Sequence, residues 1–139
     1  MKKIISLILI LLMVFSLTSC GGDVSDVKID YGKSEIYTKE ELDDAIEVVF
    51  EEFKTWKGLK MLTISYTTDE HNYDMLGYAN SLAKSKNLVP NFTQVIEFKS
   101  DLYASKNNEG FSEGMVYNWG WILARSNGGK WHLMSWGMG

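Results

Sequence analysis

Residues 115–136 read MVYNWGWILARSNGGKWHLMSW. Tyr117, Trp119, Trp121 and Leu123 recur at every second position, with Asn118 and Gly120 between the rings. That alternation marks a strand, in which successive side chains point to opposite faces. Asn127-Gly128-Gly129 interrupts the pattern and Lys130 to Trp136 resumes it. Asn-Gly suits the positive backbone angles of a tight turn, so Met115–Ser126 and Lys130–Trp136 are predicted to form a hairpin. Its register stays open. A turn at Asn127-Gly128 pairs Trp121 with Met134 and Leu123 with His132, whereas a turn over 127–129 pairs Trp121 with Ser135 and Leu123 with Leu133. A one-residue slip changes the face on which His132 lies. Arg125, next to the turn, is expected as a surface or rim charge. Gly120, between two tryptophans, suggests close backbone approach or a kink that curves the sheet.

Toward the N-terminus the period changes to that of a helix. Leu42, Ala45, Ile46, Val49, Phe50, Phe53 and Trp56 repeat at helical spacing and make one apolar face. Thr38 and Glu41 form a capping box, and Tyr37 and Leu42 stand at the staple positions. Gly58 is placed as the residue that closes this helix. Its other face carries Asp43, Asp44, Glu47, Glu51 and Glu52, read as a solvated face. Leu59–Thr68 is predicted as a strand with Leu62, Ile64 and Tyr66 on one side. Tyr73–Lys86 is predicted as a helix, interrupted by Gly77. Phe92–Lys99 is a further strand, with Phe92, Ile96 and Phe98 on one face, and Ser105–Gly114 is a polar loop.

The order is α-β-α-β-β-β. Strands gathered behind a helix indicate an α+β domain, an antiparallel sheet covered on one face. This order resembles the nuclear-transport-factor-2-like fold, a curved sheet wrapped around helices as a cone; the cystatin fold is the alternative. Some details are also similar to a family of uncharacterised Gram-positive lipoproteins with one small domain of unknown function. They are Ile36–Glu41 before the acidic helix, Tyr66–Glu70, Tyr117–Arg125 with its Trp-x-Trp-x-Leu-x-Arg pattern, and Trp131 with Trp136-Gly137. This resemblance covers about residues 35–139 and implies fold and location, not an activity.

The front of the chain speaks to location. Lys2 and Lys3 precede an apolar run, Ile4–Phe15, broken only by Ser6. A basic start, a short apolar core and small residues describe a signal peptide, here 1–19; the core is shorter than the roughly 20 residues a spanning helix needs. Leu17-Thr18-Ser19-Cys20 resembles the bacterial lipobox. That resemblance implies a diacylglyceryl group on the Cys20 sulfur, cleavage before Cys20 and anchorage at the extracytoplasmic face of the cell membrane. It also explains why the chain has a single cysteine. Residues 20–34, polar and small, are expected to be a lipidated tether that lifts the domain (35–139) off the bilayer; Val24, Val27 and Ile29 offer a short edge segment instead.

Removing residues 1–19 from 139 leaves 120 residues, enough for one core. The chain holds 14 Lys and Arg against 18 Asp and Glu; two lysines leave with the signal peptide, so the mature charge is −6. An acidic domain without a basic stripe argues against nucleic acid. It also predicts repulsion from anionic lipid heads, so that the acyl group alone holds the protein down.

The chemistry-bearing groups are sparse. Asp69-Glu70-His71 joins a strand to a helix. Carboxylate beside imidazole can serve acid–base work, but a helix cap from Asp69 or Asn72 with a solvated His71 is the plainer reading. Asp69, His71 and His132 are the acid–base candidates. The two histidines lie far apart in sequence, and neither a metal nor a cofactor is expected. The inhibitory Gln-x-Val-x-Gly loop of cystatins is missing. Most rings are assigned to the core, while Tyr66, Tyr78, Trp119 and Trp121 are expected to border the mouth of a small apolar pocket. The functional expectation is a non-enzymatic surface lipoprotein that binds a small molecule, an envelope polymer or a protein. A pocket enzyme of isomerase or dehydratase type is the alternative that the fold resemblance implies.

Overall fold

The computed structural model describes residues 21–139; the expected signal peptide, 1–19, and the expected lipidation site, Cys20, lie outside the described residues. In chain order the elements are β1 (Lys28–Asp30), α1 (Lys39–Phe53), β2 (Leu59–Tyr66), α2 (Asp69–Ser85), β3 (Gln94–Ala104), β4 (Val116–Arg125) and β5 (His132–Met138). The class is α+β. The five strands form one sheet in the order β1-β2-β3-β4-β5. Four of them run as an antiparallel meander, but β1 pairs parallel to β2, so the sheet is mixed. A parallel pair needs a long crossover, and α1 supplies it.

α1 starts where its cap dictates. The Thr38 hydroxyl accepts from the Glu41 N–H, and the Glu41 carboxylate accepts from the Thr38 N–H. It ends at Phe53, earlier than the predicted stop; Gly58, at φ +71°, turns the chain into β2 instead. Leu42, Ala45, Ile46, Val49, Phe50 and Phe53 are buried against the sheet. In β2 the buried set is Leu59, Met61, Ile64 and Tyr66, because a bulge between Met61 and Thr63 changes the phase. Leu62 is therefore not part of that face as predicted: an extra residue in a strand shifts every later side chain by one position.

The sheet is covered on both faces, not one. Ile96, Phe98, Leu102, Trp121 and Leu123 pack with α1 in the main core. Their strand neighbours Val95, Ile122 and Ala124 pack with Ala79 and Ala83 of α2 in a second core that also holds Phe92 and Met134. α2 begins at Asp69, four residues before its predicted start, capped by Thr68, whose hydroxyl accepts from the His71 N–H. Neither Asp69 nor Asn72 is the cap.

Only the three-residue register applies, and only next to the turn. Leu123 pairs with Leu133, as that turn requires, but an irregularity between Ile122 and Leu123 brings Trp121 opposite Trp136, a pairing that neither turn gives. Arg125 is not a rim charge. It is buried, ion-paired with Glu41, hydrogen-bonded through Nε to Gln94 Oε1 at 2.7 Å, and stacked 4.2 Å from the Trp131 ring.

From Gly22 on, the expected tether is bonded to the domain at several points. The Gly22 N–H donates to the Lys54 carbonyl, and Asp23 exchanges backbone bonds with Leu59 and Met61. Tyr31 Oη donates to Asp43 Oδ1 at 2.5 Å, and Ser34 Oγ donates to Asp69 Oδ1 at 2.6 Å. A Cβ on Gly21 would stand 2.3 Å from the Lys54 carbonyl oxygen, and one on Gly22 2.1 Å from that of Phe53. Only glycine permits such an approach.

Candidate functional site

The four residues expected at a pocket mouth do not border one opening. Tyr66 and Trp121 are buried in the main core. Trp121 donates from its indole nitrogen to Ser100 Oγ at 3.0 Å and packs edge-on against Phe53. Trp119 is half-buried between Trp56 and Phe111, with ring centroids 5.6 Å from each. Tyr78 is exposed on α2, across the sheet from the other three. The aromatic stripe therefore closes the α1 core, as core rings do at native packing density.

At the start of α2 the residues do gather, but as a structural network. Tyr66 Oη donates to Asp69 Oδ1 at 2.5 Å and accepts from Asn72 Nδ2 at 2.6 Å. Asn72, fully buried, also accepts the Glu97 N–H on its Oδ1 at 2.8 Å. Asp69 further accepts the Glu35 N–H at 2.8 Å. Burial raises the Tyr66 pKa, and the bond to Asp69 raises it further.

His71 meets a carboxylate, though not its neighbour in sequence. Its Nε2 faces Oε2 of Glu97, a buried side chain on the α2 side of β3, while Lys99 Nζ reaches Glu97 Oε1 at 2.9 Å. No aligned hydrogen bond joins Glu97 Oε2 to a donor. Gly120 lies opposite Lys99 in the ladder, and a Cβ there would come 3.4 Å from Lys99 Nζ. Its bare backbone leaves room for the ammonium. Beside this trio is a shallow groove of about 190 Å³ lined by Gly120, Ile122, Ser135 and Gly137. His132 sits on β5 against Phe92, with no carboxylate partner among the described residues. Among them, too, no three His, Cys, Asp or Glu side chains gather as a metal-binding set. Sequence reasoning missed Glu97 and Lys99. Their signal was there: Val95, Glu97 and Lys99 alternate with Ile96 and Phe98, which places two charges on the strand's second face.

A cleft of about 480 Å³ lies at the other end of the sheet. Its walls are the α1–β2 turn (Lys57, Gly58), the start of β2 (Leu59, Lys60), the end of β3 with the loop after it (Tyr103, Ser105–Asn108), and Gly21 with Asp23. The loop is held there by Ser105 N–H to the Gly58 carbonyl and by Asn108 Nδ2 to the Lys57 carbonyl, both at 2.9 Å. Compared with protein-family models, curated proteins and solved structures, the chain matches none.

The network at α2 makes a prediction about acid. Burial pushes the Asp69 carboxyl up, but donors from Ser34, Tyr66 and the Glu35 and Ile36 backbone outweigh it and hold the pKa below its ordinary 3.8. For Glu41 the Thr38 N–H, then Arg125, holds it below 4.5. Such carboxyls bind fewer protons folded than unfolded. Their contribution is complete above the ordinary values and is lost as pH falls through the lowered ones. Thermal midpoints are expected to drop as pH falls below about 4.5, and Asp69→Asn to flatten that slope. An unchanged slope in the variant would remove Asp69 from the account.

Proposed function

We propose that this chain is a lipoprotein anchored through Cys20 at the extracytoplasmic face of the membrane, with a folded domain that works as a non-enzymatic binding module. The observation that carries this reading is the meeting of two features. A lipobox-like segment ends at Cys20, and the next residue, Gly21, is packed closely against the Lys54 carbonyl at the end of α1. No helix among the described residues is long and apolar enough to cross a membrane. Two acyl chains on one glycerol hold a protein far longer than one, at about 0.8 kcal/mol per buried CH₂. The partner is a small molecule, an envelope polymer, a protein or the lipid surface itself. The acid–base alternative loses its strongest carboxylate, since Asp69 already accepts from Ser34, Glu35 and Tyr66.

We further infer kinship with the uncharacterised Gram-positive lipoproteins. In its support, the Trp-x-Trp-x-Leu-x-Arg piece runs along an inner strand, β4, and its arginine ties that strand to α1. For a nuclear-transport-factor-2-like fold the support is the α-β-α-β-β-β order behind β1. α2 on the outer face departs from a cone that holds both helices inside.

Expressed in a bacterium, the chain is expected to fractionate with membranes and to carry the mass of a diacylglyceryl cysteine. Cys20→Ala should lose that mass and accumulate as the uncut precursor. A wild-type chain that is soluble, with an unmodified Cys20, would overturn the anchor.

A further inference from the structure

The mature chain is acidic overall, yet its charge is not evenly spread. Three lysines, Lys57, Lys60 and Lys106, line the cleft beside Gly21. None of the three has an ion-pair partner among the described residues. The lone carboxylate in the lining is Asp23, and its Oδ1 is occupied by the Ser25 N–H and hydroxyl at 2.9 and 2.6 Å.

The same end of the sheet exposes apolar side chains. Lys60 pairs with Tyr103, and Tyr103 with Val116, so the three form a row on one face of the sheet. Val116 is 51% and Met115 54% exposed. Gly21, the residue after Cys20, lines the cleft at this end. Consecutive Cα atoms are about 3.8 Å apart, and Gly21 is pinned against the Lys54 carbonyl. A lipid on Cys20 therefore enters the bilayer beside the cleft, with no slack between anchor and domain.

We propose that this end of the domain is a bilayer-docking face: Lys57, Lys60 and Lys106 take the phosphates of anionic lipid headgroups in the cleft, while Met115 and Val116 dip into the interface. The proposal rests on the Cys20 anchor and names the lipid surface as the partner of that module. It replaces the expected repulsion by an orienting effect. The anionic surface attracts the lysine end and repels the acidic remainder, so the domain lies down on the membrane in one orientation. Each lysine near an anionic surface strengthens binding about fivefold, and exposed apolar residues add to interfacial binding.

The test uses the lipidated chain, purified from membranes and reconstituted into phosphatidylcholine vesicles with or without phosphatidylglycerol. A fluorophore is placed by Met115→Cys at the docking end or by Val89→Cys at the other. Residue 89 lies beyond the first residues of β3, whose 11 residues span roughly 35 Å. Quenching by nitroxide-labelled acyl chains should be several-fold stronger at 115 than at 89 when phosphatidylglycerol is present. Replacing Lys57, Lys60 and Lys106 by Glu should shift the ratio of docked to undocked molecules at least a hundredfold and abolish the difference. Equal quenching at the two positions, in protein of confirmed acyl mass, would overturn the docking face and leave the anchor standing. A difference that ignores phosphatidylglycerol and the lysine changes would overturn the headgroup site. A chain without acyl mass would overturn the anchor and this orientation together.

Discussion

Trp121→Ala is expected to lower the free energy of unfolding by about 3–5 kcal/mol, read from urea melts followed by circular dichroism. Trp121 is fully buried, pairs with Phe98 in the ladder, and lies 5.2 Å from the Trp56 ring and 6.3 Å from that of Phe53. Nothing at the centre of the sheet can move in to fill the volume it leaves, because the strands on either side are held by ladder bonds. The change also strips Ser100 Oγ, itself buried, of its indole donor. Trp119→Ala should cost clearly less, since that ring is half-buried and its indole N–H has no partner to lose. Equal losses in the two variants would contradict the packing described for the α1 face.

The second large effect is expected at Asn72. Its amide joins two layers: Oδ1 accepts the Glu97 N–H of the central strand, and Nδ2 donates to Tyr66 Oη. Asn72→Ala leaves the buried Glu97 N–H without its acceptor and takes one of two hydrogen bonds from Tyr66 Oη, which keeps its bond to Asp69. The orphaned donor costs about 1–3 kcal/mol and the lost second hydrogen bond about 1 kcal/mol, so the variant should lose about 2–4 kcal/mol. A double-mutant cycle with Tyr66→Phe separates the parts. If the network acts as a unit, the double variant should lose less than the sum of the two singles. Strict additivity would show that Asn72 and Tyr66 contribute separately.

The candidate site was less legible than the fold. Asp69 and His71 lie two positions apart in the sequence but serve different partners. Asp69 turns toward Ser34 and Tyr66, and His71 toward Glu97, 26 positions further along the chain. Residues two positions apart on a helix are rotated by about 200°, so an acid two places before a histidine rarely shares its direction. Glu97 was hidden because its strand was read for one apolar face, while α2 made the other face an interior as well. The docking end was hidden for another reason. Lys57, Lys60 and Lys106 are scattered through three segments, and a net charge sums over the whole surface without saying which residues meet.

The α1 helix with its Thr38–Glu41 cap, the alternation through Trp119 and Trp121, and the turn after Ser126 follow from the sequence alone. Each rests on residues a few positions apart, where capping, period and turn chemistry act. Only the tertiary structure decided the rest. The parallel pairing of Lys28–Asp30 with β2 depends on a crossover that brings distant residues together. The bulge after Met61 and the shift at Ile122 are set by packing across neighbouring strands. The burial of Arg125 needed Glu41 and Trp131 to arrive from other elements. In each case the deciding energy lies in contacts between segments far apart in the chain, which no local pattern of residues encodes.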